Sequence, residues 1–165
     1  MYQIDDTFRL FGRDEDIPIY EYFYKQSSNL YYSKIMLFAG WIGYIYNRKV
    51  ENIDKTKENR LINAKEDALA SMHQLIMLID ENCSIDQMLD KNYRKRMLTD
   101  EMMKYVAGGM DLIKDRVFTN AEGELVIPSI DAKDSSFYFK FLLFIREVIN
   151  SEEFKATDAS FIPFE

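Results

Sequence analysis

The chain has 165 residues, 47% hydrophobic and 30% charged, a balance that excludes a disordered tract and predicts one globular domain over 1–165. Its 28 acidic and 21 basic residues leave a net charge of −7, which disfavours nucleic acid as the primary ligand, because phosphate binding needs a basic stripe. A single cysteine, Cys83, and a single histidine, His73, exclude an internal disulfide and a thiolate zinc site.

The opening MYQIDDTFRLFGRDEDIP is charged and carries no apolar stretch of the secretory type, so the expected setting is cytoplasmic. Its alternation of Tyr2, Ile4, Phe8 and Leu10 with polar residues reads as a strand that Gly12 ends. Asp14, Glu15 and Asp16 stand before Ile17-Pro18, an acidic N-cap region with proline in the first turn, and predict a helix over about 17–27.

Residues 34–49, KIMLFAGWIGYIYNRK, form the most apolar stretch of the chain. As a helix, Ile35 to Asn47 would rise about 20 Å, short of the roughly 30 Å hydrocarbon core of a bilayer. A membrane span is therefore not expected, and the reading is a core helix over about 30–48, apolar nearly all round. Ile35, Phe38, Ile42 and Ile45 make one stripe, with Trp41 beside it. Ala39 and Gly43 are small residues four apart that let another helix come close. That neighbour is either a core element of the same chain or a second copy in a homodimer.

Residues 52–59 are strongly charged and read as a solvated loop or an exposed first turn, and Leu61 to Asn82 as a long amphipathic helix. Ser84 is placed to cap a short helix over 85–89, and Thr99-Asp100-Glu101 to start another that Gly108-Gly109 interrupts. RVFTNAEGELVIP, residues 116–128, carries two β-prone runs around Asn120-Ala-Glu-Gly123 and predicts a hairpin that the N-terminal strand would complete. Asp134-Ser135-Ser136 would cap a last helix over 137–149, almost continuously aromatic and aliphatic, before an extended tail over 155–165. The fold class is therefore mainly α (α+β): a single-domain bundle of five or six helices with a small β element from residues 2–11 and 116–127.

Few residue groups suggest chemistry. His73 could pair with Glu66 on one helix face, but a lone histidine at the edge of an apolar stripe is more often a packed side chain. Glu51 and Asp54 are three apart and, with Glu58, could hold Mg²⁺ for phosphate chemistry, although the second acidic cluster such sites use is missing. The phosphate-cradling and nucleophile motifs are absent. No cofactor is expected, and no catalytic or metal-ligating residue is assigned.

The favoured function is docking to another protein, as an inhibitor, an immunity-type factor or an assembly subunit. Trp41, Ala39 and Gly43, and the terminal Phe161, Ile162 and Phe164, are the candidate interaction residues. The alternatives are an α-helical Mg²⁺-dependent nucleotide phosphohydrolase using Glu51, Asp54 and Glu58, and an acidic mimic of nucleic acid.

Overall fold

The structure, a computed structural model, describes residues 9–53, 60–63, 66–129 and 134–158 and is mainly α-helical. Strand β1 (Arg9–Gly12) leads through a 3₁₀ turn into α1 (Ile17–Gln26) and α2 (Tyr32–Ile45). Strand β2 (Arg60–Asn63) precedes α3 (Glu66–Ile79), α4 (Ile85–Leu89), α5 (Lys91–Arg96) and α6 (Met102–Ile113). The chain ends its described part with α7 (Ser136–Ile149) and α8 (Glu152–Asp158). Among the described residues α5 and α8 are helices beyond the six expected, and the helix expected from Leu61 begins only at Glu66, because Arg60–Asn63 pairs with β1.

The apolar run becomes the central helix α2, with Ile35, Met36, Ala39 and Ile42 all buried and Phe38, Trp41 and Tyr44 half-buried. Its main neighbour is α6, which it meets backbone to backbone. A Cβ added at Gly43 would lie 2.0 Å from the Tyr105 carbonyl oxygen, and one at Gly109 would lie 1.8 Å from that of Ala39. The small residues of α2 are thus matched by a glycine on α6 of the same chain, and each glycine is there because any side chain would collide with backbone.

The end of α2 continues this fit. Asn47 takes a left-handed conformation (φ 48°), and the amide of Arg48 donates to the Gly43 carbonyl at 2.7 Å, while that of Asn47 donates to Tyr44 at 3.1 Å. Asparagine tolerates this geometry, and the paired bonds satisfy carbonyls that the helix end would otherwise leave open. The turn sets the Arg48 carbonyl over Gly108, where a Cβ would approach it to 2.2 Å, and the Val50 amide then reaches the Lys104 carbonyl at 3.1 Å. Gly108 and Gly109 therefore do not interrupt their helix. They are the positions at which α6 receives α2 and the chain that leaves it.

The helix expected to start at Thr99 begins earlier. Asp90 caps α5 by accepting from the Asn92 amide at 2.9 Å, and a π turn over Met97–Glu101 carries the helix on into α6. A second π turn over Lys114–Phe118 prolongs it, burying Val117 and Phe118. That extension changes the expected hairpin. Residues 116–118 are helical, so the hairpin contracts to one bridge, Thr119 to Leu125, around the predicted turn, with Gly123 at φ 82°. Asn120 Oδ1 accepts from the amides of Glu122 and Glu124 and holds the turn closed. β1 pairs antiparallel with β2, Leu10 opposite Ile62, and not with this region. Residues 2–8 of the expected strand, and residues 54–59 of the expected loop, lie outside the described residues.

Two other expectations shift. The acids before α1 do not cap it through a side chain: Asp16 is buried, and its carboxylate takes Arg13 Nε at 2.7 Å and Lys114 Nζ at 2.6 Å. Arg13 also donates to Asp111 at 2.8 Å and to the Ala107 carbonyl at 3.2 Å, which ties the entry to α1 onto α6. The tail expected to be extended from 155 is helical through Asp158, because Ser151 Oγ accepts from the Phe154 amide and Glu152 and Glu153 occupy the first turn.

Candidate functional site

Helix α7 is anchored from within by aromatic side chains. Phe141 meets Phe23 of α1 at 4.4 Å between ring centroids, and Phe137 stacks on Phe118 at 5.1 Å. The Tyr22 hydroxyl donates to the Asp134 carbonyl at 2.7 Å and accepts from the Tyr138 amide at 3.1 Å, fixing where the helix starts. Asp134 accepts from the Ser136 amide at 2.8 Å and from its hydroxyl at 2.9 Å, which holds its carboxyl below the usual range. One wall of α7, with Phe141, Phe144 and Val148, is buried in this way.

The opposite wall is apolar too, and it faces outward. Phe139 is 60% exposed, Leu142 43%, Leu143 58% and Ile149 51%. With the exposed Arg146 they recur at intervals of three and four residues, so they form one stripe along about 15 Å of helix. A few isolated exposed apolar residues are ordinary, whereas four large ones on a single helix face mark a surface that water solvates poorly. Beside the stripe, a groove of about 410 Å³ lies between α7 and the second π turn, lined by Asp115, Arg116, Lys140, Leu143, Phe144 and Glu147. Arg116 reaches Glu147 at 3.5 Å and sits over the Phe144 ring at 6.0 Å; Lys140 sits over the Phe137 ring at 5.4 Å.

The residues singled out from the sequence go elsewhere. Ala39 and Gly43 face α6, so that side of α2 is filled within the chain. Trp41 lies about 200° around the helix from Ala39, half-buried and edge-on to Tyr44 at 6.4 Å. The structure therefore does not join these three into one surface, and Phe161, Ile162 and Phe164 lie outside the described residues. His73 is buried on α3. Cys83 is free and half-exposed, near Tyr93, whose hydroxyl donates to Asp80 at 2.7 Å.

Glu51 pairs with Lys104 at 3.4 Å, and Lys104 also holds Glu101 at 3.0 Å. Asp54 and Glu58 lie outside the described residues. Among the described residues no group of three His, Cys, Asp or Glu side chains is placed to hold a metal ion, and no helix is long and apolar enough to cross a membrane.

The outer residues of α7 were not among the candidates, though a signal for them exists. The helix carries two apolar stripes, Phe137/Phe141/Phe144/Val148 and Phe139/Leu142/Leu143/Ile149, and a helix at the edge of a core buries only one. No protein-family model, curated protein or solved structure matches the chain.

Proposed function

We propose that the protein acts by docking to another protein through the outer face of α7. The observation that carries this reading is the second apolar stripe, which is held rigid from behind and has no use in the domain's own core. A preorganised helix face loses little conformational freedom on binding, and large apolar side chains at its centre supply most of the binding energy. Phe161, Ile162 and Phe164 are proposed to add to the docking surface, as is Trp41; Ala39 and Gly43 are not, because α6 covers them.

The role is that of a small acidic inhibitor, immunity-type factor or assembly subunit. Support for this over a metal-dependent phosphohydrolase comes from Glu51, whose carboxylate is engaged by Lys104. The test is capture of partners by tagged protein from lysate of the source organism, with nuclease added, using the native chain and Leu143→Asp in parallel. A stoichiometric protein held by the native chain and lost by the variant is the expected result. If the native chain retains only itself, or if both chains hold the same partner equally, the reading fails.

A further inference from the structure

The stripe on α7 is not uniformly apolar. Phe139, Leu142, Arg146 and Ile149 follow a 3-4-3 spacing, the seam pattern of a helix that pairs with another helix, and Leu143 flanks it. Arg146 thus occupies a seam position. Its neighbours one turn away on that face are Leu142, Leu143, Ile149 and Asn150, none of them charged. Its guanidinium makes no ion pair or hydrogen bond among the described residues. The cations beside it are matched, Arg116 by Glu147 at 3.5 Å and Lys140 by the face of Phe137 at 5.4 Å.

Resting on the docking reading, we infer that the outer face of α7 receives an amphipathic helix of a partner protein that carries a carboxylate among its seam residues. An arginine set among leucines is strongly rewarded by an opposing carboxylate, because the pair forms where water is excluded and the planar guanidinium binds both oxygens. One polar seam residue also selects its partner, since an apolar or cationic counterpart leaves the charge unpaired. The stripe's length of about 15 Å suits two to three turns of the incoming helix.

Other occupants fit less well. A helix that lies on a lipid surface keeps its cations on the polar face, not in the middle of the apolar one, and a net charge of −7 opposes anionic lipid. A second copy packed α7 against α7 would offer its own Phe139, Leu142, Arg146 and Ile149 and no seam carboxylate, leaving both arginines unmatched.

The test uses a fluorescein-labelled 21-residue helical peptide with leucine at its seam positions and one central seam glutamate, and its counterpart with lysine there. Binding to the full chain is followed by anisotropy. The glutamate peptide is expected to bind at least about tenfold tighter than the lysine peptide, and Arg146→Glu to reverse that order. Leu143→Asp is expected to abolish both without changing the circular dichroism.

Equal binding of the two peptides, or an order unchanged by Arg146→Glu, overturns the inference. So does a self-association seen by sedimentation and lost in Leu143→Asp, or a Leu143-dependent flotation with phosphatidylserine vesicles. Failure of both peptides beside a cellular partner that still requires Leu143 overturns the seam carboxylate alone and leaves the docking reading standing.

Discussion

Gly109 of α6 lies so close to Ala39 of α2 that a Cβ on Gly109 would fall 1.8 Å from the Ala39 carbonyl oxygen. A peptide group cannot turn away as a side chain can, so the two helices would have to separate. Gly109→Ala is expected to destabilise by about 3 kcal/mol or more, despite the gain of about 1 kcal/mol in helix propensity. Gly40→Ala is the control. There the new methyl meets the flexible end of Leu75 at 3.0 Å and comes only to van der Waals contact with Val106 at 3.4 Å, and the change is expected to stay within about 1 kcal/mol. Urea unfolding of the two variants checks the contrast.

Asp16 is buried and holds two cations that are themselves largely covered, Arg13 and Lys114. Its loss leaves Arg13 and Lys114 only the more exposed Glu15 and Asp111, so Asp16→Asn is expected to cost about 2–3 kcal/mol. Asp111 also touches Arg13 but is half exposed, and Asp111→Asn is expected to cost under about 1 kcal/mol. Equal losses in the two variants would contradict the ranking.

The tyrosines set an alkaline limit. Burial, aided by the Asp67 carboxylate that accepts from its hydroxyl, pushes Tyr31 up to about 12, and burial raises Tyr20, Tyr22, Tyr44 and Tyr93 as well. Raised values mean that the folded chain holds these protons more tightly than the unfolded chain, whose tyrosines titrate near ~10. Their contribution is complete below that pH and is lost as pH rises toward 12 and beyond. The urea midpoint should therefore hold from neutral pH to about 9 and fall steeply above 10, less steeply in Tyr31→Phe. Asp67 acts in the opposite direction. The Tyr31 bond lowers it, so its contribution is present above the usual carboxylate range and fades as pH falls through the depressed value.

Asn47, at φ 48°, ends α2 in a conformation that a β-carbon disfavours. Asn47→Ala is expected to cost about 1 kcal/mol and Asn47→Gly to be neutral or slightly stabilising. Thermal melts would show the difference, and equal melting of the two variants would remove the conformational explanation.

The sequence made α2 legible because its apolar residues outnumber what one face can hold, and it made the capping of α4 legible because Ser84 and Gln87 have the reciprocal spacing that the structure uses, at 2.8 and 3.2 Å. It did not reveal the π turns. Residues 114–118 have the β-prone Val117 and Phe118, yet the aromatic cluster with Phe23, Tyr22 and Phe137 keeps them helical. Nor could periodicity tell which of two glycine roles applied at 108 and 109, a break or a close approach, since that depends on what lies across the helix. The candidate site was hidden for a similar reason: composition marks α7 as apolar, but only its place at the edge of the core shows which stripe is left over.

The most direct measurement compares two aspartate substitutions at exposed apolar residues, Leu143→Asp on α7 and Ile85→Asp on α4, in the affinity of the purified chain for its captured partner. Both positions are open to solvent, so both variants should fold as the native chain does. The expected result is loss of binding by about 100-fold or more for Leu143→Asp and native affinity for Ile85→Asp. Native affinity for Leu143→Asp would contradict docking through the outer face of α7.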